Sequence, residues 1–181
     1  LAVATEARLK ASQELPLQIM TLQANPDNRQ ALASVLQGFM ILGRTADVDQ
    51  TISNAVARNP KDAPFIRDMI NFYATQGRIP QALEMAKLLE KAQPDQWDVP
   101  YTIAKYDLLT GQREAAYANI RKSVQLGGNA ALQQIAREQL FAQVAQDPAF
   151  QAALRNQDPA SSGTQVTIPG LFKPASSGIK K

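Results

Sequence analysis

Reactive chemistry in this sequence has to be found among carboxylates, lysines, tyrosines and hydroxyls, because neither histidine nor cysteine occurs in its 181 residues. That removes the commonest general base, the commonest metal ligands, thiolate zinc sites and disulfides. The remaining groups lack the settings that reactions need. Ser12, Ser34, Ser53 and Ser123 have no Gly-x-Ser-x-Gly context and no imidazole to activate them. Asp47 with Asp49, and Asp95 with Asp98, suggest acid–base or metal work only until they are placed at helix starts, where a carboxylate caps the helix or complements its dipole. No catalytic residue, metal ligand or cofactor is assigned, and the expected class is non-enzymatic. Two pairs could hold a ligand without reacting with it. Tyr101 and Lys105, one helical turn apart, offer stacking and charge, and Arg67 with Asn71 has the same spacing.

Charge argues against nucleic acid as the partner. The net charge is +3, but three lysines, Lys173, Lys180 and Lys181, stand against one aspartate, Asp158, in the stretch from Asn156 onward. The rest is nearly neutral and lacks the cationic stripe that neutralises phosphates. No apolar run approaches the roughly 20 residues that span a bilayer. The chain starts at Leu1 and not at Met, so LAVAT reads as the edge of a removed signal or anchor, or as a cut within a longer repeat array. The expected setting is a bacterial assembly at the cell envelope, otherwise the cytoplasm.

The elements that carry these residues follow a repeat. Gly43, Gly77 and Gly111 are spaced by 34, as are Pro26, Pro60 and Pro94, with Gly128 in the next proline place. Each of the three turn glycines separates two amphipathic helical patterns, as a left-handed C-cap requires. Leu32, Val35, Leu36 and Phe39 form one stripe, and Val48, Ile52, Ala55 and Val56 the next. Ile66, Met69, Ile70 and Tyr73 pair likewise with Ala82, Met85, Ala86 and Leu89. In the third copy, Ile103, Ala104 and Leu108 pair with Ala116, Ile120 and Val124. Asp62 before Pro64 and Asp98 before Pro100 predict capped helix starts, with Pro80 entering its helix similarly. Pro16 predicts that the helix around it starts late, near Leu15, or kinks.

The expected organisation is an incomplete N-terminal repeat over 1–28 and three units over 29–128, by pattern 29–62, 63–96 and 97–130. Capping helices follow over 129–155, then a Pro/Ser/Gly-rich tail over 156–181. Asn129 to Ala145 predicts one helix with Leu132, Ile135, Ala136, Leu140 and Val144 inward. Asp147 and Pro148 then start a short helix that docks through Phe150 and Leu154 and closes the stack. In the tail, Val166, Ile168, Leu171 and Phe172 form an apolar patch between two copies of PASSG. It reads either as a sticky remnant or as a short ligand for the protein's own or a neighbour's groove.

With these positions laid out, the chain resembles the tetratricopeptide repeat (TPR) family over about residues 10 to 130. The central unit carries the pattern at Ile66, Met69, Ile70, Tyr73, Gly77, Ala82 and Pro94, and the first at Leu32, Val35, Leu36, Phe39, Gly43, Val48 and Pro60. The third departs from it: Pro100 replaces the large residue, Asp107 the aromatic and Gly128 the closing proline. The resemblance implies an all-α fold, a right-handed α-α superhelix whose first helices line a concave groove. By the same resemblance, the groove positions are Gln37 and Met40, then Arg67 and Asn71, then Tyr101, Lys105 and Leu108. The five-residue clamp with which some members grip a chaperone's terminal carboxylate is absent. Its places are held by Ala33, Gln37, Asp68, Asp98 and Thr102. A groove with a mixed, nearly neutral lining predicts a protein-interaction scaffold for a peptide or partner protein. The alternative is an oligomerisation module whose tail fills its own or a neighbour's groove.

Overall fold

The computed structural model describes residues 2–156, and the tail residues Val166, Ile168, Leu171 and Phe172 lie outside them. The described residues are helical, with turns between the helices and no strand. They fall into two compact units that divide between Asp62 and Ala63. None of the described helices is long and apolar enough to cross a membrane.

The first unit holds α1 (Ala2–Ala24), α2 (Arg29–Ile41) and α3 (Thr45–Arg58). Asn28 caps α2 by accepting from the Ala31 N–H at 2.9 Å. The stripes of α2 and α3 named above are buried as their spacing predicts. Of the two expectations for Pro16, α1 corrects the late start, since one helix runs through it. A proline inside a helix removes a hydrogen bond and costs about 3 kcal/mol. Pro16 is exposed, whereas Ala11 and Leu15 are buried. The carbonyl of Ser12, whose partner the ring removes, therefore remains within reach of water.

The second unit holds α4 (Ala63–Thr75), α5 (Ile79–Ala92), α6 (Asp98–Leu109), α7 (Arg113–Arg137), α8 (Gln139–Ala142) and α9 (Pro148–Leu154). Its hairpin turns, like that of the first unit, share one closure. Gly43, Gly77 and Gly111 have φ of 72°, 69° and 80°. In each turn the next N–H reaches back five residues: Arg44 to Phe39, Arg78 to Tyr73 and Gln112 to Asp107, at 2.9, 2.9 and 2.7 Å. This is the Schellman closure, and it needs a residue without Cβ strain at the left-handed position.

Asp107 shows what the third copy changes. Phe39 and Tyr73 each lie under an arginine, Arg44 and Arg78, at 4.7 and 5.2 Å from the ring centroids. Asp107 occupies the same place as a buried carboxylate, 2 % exposed, and accepts from Asn119 Nδ2 at 2.9 Å. Burial pushes its pKa up, and the Asn119 bond works against that shift.

Beyond the repeats the expected single helix over 129–145 is corrected. The non-helical Gly128 (φ 50°, ψ −126°) divides α7 into two helices, so the second starts at Asn129 as expected, but it stops at Arg137 and not at Ala145. Glu138 is extended (φ −82°, ψ 115°), and the chain restarts as the short α8. The break resets the helical phase, so Phe141 becomes fully buried and Leu140 only half-buried. Phe141 stacks on Phe150 at 5.9 Å, and Tyr117 tilts against Phe150 at 5.6 Å. Asp147 caps α9 through the Ala149 N–H at 2.9 Å and also accepts from the Tyr117 hydroxyl at 2.7 Å. Phe150 and Leu154 are buried, so the short last helix docks as its sequence predicts.

Candidate functional site

α4 and α6 wall a cleft of about 250 Å³ within the second unit. Arg67, Ile70 and Asn71 reach it from one face of α4, since i, i+3 and i+4 fall on the same side of a helix. Tyr101, Thr102, Lys105 and Tyr106 reach it from α6, and Leu89 comes from α5.

Each cation in the wall is tied to a carboxylate. Arg67 donates from Nη1 to Asp98 Oδ2 at 2.6 Å and from Nη2 to Gln93 Oε1 at 2.9 Å. Asp98 thus bridges two helices and makes no cap bond, because Trp97 takes the N-cap place of α6. That corrects the capping half of the expectation, while the place of Asp98 in the first turn of α6 keeps its charge complementary to the helix dipole. Lys105 pairs with Glu138 Oε2 at 2.6 Å and lies 5.7 Å from the Tyr101 ring centroid. The Tyr101 hydroxyl donates to the same Glu138 oxygen at 3.0 Å, and Gln134 Nε2 donates to that hydroxyl at 3.3 Å. Burial, with the Glu138 carboxylate beside it, pushes the Tyr101 pKa up to about 12. The Lys105 hydrogen bond holds the Glu138 carboxyl below the usual glutamate range.

The predicted site residues are therefore divided. Arg67, Asn71, Tyr101 and Lys105 converge on the cleft. Tyr101 does so as a core side chain, 7 % exposed, so only part of it meets the opening. Leu108 is half-buried against the core of the second unit and does not line the cleft. Gln37, exposed, and Met40, half-buried, stand on α2 in the first unit. Sequence reasoning missed Glu138 and Gln134, which reach Tyr101 from more than 30 residues away, and Tyr106, one position past Lys105. Only the polar character of Gln134 and Glu138 beside the inward Ile135 hinted at them.

Trp97 serves packing. Ser123, fully buried, donates to its carbonyl at 2.8 Å, and its ring lies against Gly127.

Tandem helical hairpins with a common glycine closure at a 34-residue interval now stand on the structure as well as in the sequence. The fold is a TPR-like helical repeat. No family model matches the chain, and no curated protein matches it. Among solved structures, the chain is similar to a crystal structure of MamA at 13 % identity, covering 86 % of this chain and 92 % of that one, with a TM-score of 0.49. A second MamA crystal structure aligns at 15 % identity over 93 % and 97 %, with a TM-score of 0.48. A thermophilic TPR protein from Thermus thermophilus aligns at 20 % identity over 89 % and 91 %, with a TM-score of 0.42.

Proposed function

We propose that the protein is a non-catalytic interaction scaffold that binds a segment of a partner protein in the cleft of α4 and α6. The observation that carries this reading is the lining itself: a guanidinium, an ammonium, an amide and hydroxyls over a floor of the buried Ile70 and Leu89. Such a surface suits a peptide, which brings amides as well as apolar side chains. At about 250 Å³ the cleft is smaller than the roughly 300–1,000 Å³ of drug-sized ligand pockets. It fits one or two side chains of a longer segment better than a whole metabolite.

The test uses a peptide selected by display on the immobilised full chain, with affinity read by fluorescence anisotropy. Reversing charge at Arg67 (Arg67→Glu) together with Asn71→Ala should weaken binding at least about tenfold, the size of a central contact. Asn71→Ala alone, at an exposed side chain, keeps the test readable if the charge reversal unfolds the chain. Undiminished affinity in folded variants would remove the cleft as the site.

A further inference from the structure

The cleft lining contains no acidic residue. Arg67 and Lys105 both face it, whereas their paired carboxylates, Asp98 and Glu138, stand outside the lining. Resting on the reading that a partner segment binds here, the geometry points to an aspartate or glutamate side chain of that segment as what Lys105 recognises, with Glu138 as the resident carboxylate it displaces, while Arg67 keeps its bonds to Asp98 and Gln93.

Glu138 is held by the Lys105 ammonium, the Tyr101 hydroxyl and the Leu140 N–H, and its position lets the first of these change partner. It sits at the break between α7 and α8, with an extended backbone and no place inside a helix. One oxygen, Oε2, serves both the Lys105 ammonium and the Tyr101 hydroxyl. An ammonium has three donors, so Lys105 has more to offer than this single acceptor takes. The pair is also partly open to solvent, with side-chain exposures of 33 % for Lys105 and 24 % for Glu138, so an incoming group can reach it. The Lys105 hydrogen bond that lowers the Glu138 pKa is the interaction an incoming carboxylate has to match. If Glu138 swings away, Gln134 Nε2 still donates to the Tyr101 oxygen, and the hydroxyl proton is left for the incoming carboxylate to accept.

The experiment measures binding of dye-labelled, C-terminally amidated octapeptides by anisotropy. The peptides come in pairs that differ only by Glu or Gln at one central position, and each pair is tested on full-chain wild type, Glu138→Gln and Lys105→Gln. Amidation leaves side chains as the carboxylate source. Glu members should bind wild type about threefold to fivefold more tightly than their Gln twins, the scale of a partly exposed ion pair. Glu138→Gln should widen that gap by a similar factor, and Lys105→Gln should close it. Should Glu138→Gln fail to fold, Lys105→Gln decides alone. Equal binding of the twins to all three proteins, with both lost in the Arg67→Glu, Asn71→Ala variant, would overturn the carboxylate assignment and leave the cleft standing. No peptide binding wild type at all would overturn both.

Discussion

Replacing Phe150 with Ala should cost the second unit about 3–5 kcal/mol, the range for removing a buried phenylalanine ring from a core. The ring is fully buried, stacks on Phe141 at an interplanar angle of 18° and meets Tyr117 at 5.6 Å. α9 is one short helix, with Phe150 and Leu154 as its large buried apolar side chains. Truncating the first removes both the transfer free energy and the packing that seats α9, so the opening cannot collapse around a smaller residue. Urea unfolding followed by circular dichroism measures the loss. Amide exchange over Pro148–Leu154 should accelerate with it. A loss below about 1 kcal/mol would mean that α9 contributes little to closing the stack.

The second large effect is expected at Gly127. A Cβ added there would meet Trp97 Cγ at 2.5 Å and Cβ at 2.7 Å, distances no packed methyl group tolerates. Trp97 has little room to retreat. Its carbonyl accepts from the buried Ser123 hydroxyl, and its ring lies edge-on to Tyr101 at 6.3 Å. Gly127→Ala should therefore destabilise by about 1–3 kcal/mol, as overpacking does. Because the chain has a single tryptophan, its fluorescence should shift in the folded state. Putting Gly127→Ala into a Trp97→Gly background, which removes the Trp97 Cβ as well as the ring, should recover most of the penalty, and a cycle that shows no coupling would contradict the contact.

The sequence reveals what is local and repeated. Leu32, Val35, Leu36 and Phe39 share a helical face by spacing alone, and Gly43, Gly77 and Gly111 announce the same turn three times. Asp147 and Pro148 mark the start of α9 by short-range rules. What stays hidden depends on contacts far along the chain. Pro16 reads as a late helix start or a kink, yet α1 begins well before it and runs through it, with Ala11 and Leu15 buried along the turn that precedes it. Periodicity carried the expected helix past Glu138, since nothing adjacent in the sequence signals the break that throws Phe141 inward. The candidate site shows the same divide. Arg67 with Asn71 and Tyr101 with Lys105 are legible as turn-spaced pairs, but their partners Asp98 and Glu138 lie 31 residues from Arg67 and 37 from Tyr101. Tyr101 looked like a free stacking surface because helix phase alone does not show that Phe141 and Trp97 pack against its ring.

The most direct test of the binding cleft is amide chemical-shift mapping on the ¹⁵N-labelled full chain, titrated with the display-selected peptide. The largest perturbations should fall on Arg67, Asn71, Thr102 and Lys105, with smaller ones at Glu138. Largest perturbations on α2 and α3, or around Asp107 and Asn119, with those four amides unmoved, would contradict the assignment of the α4–α6 cleft as the binding site.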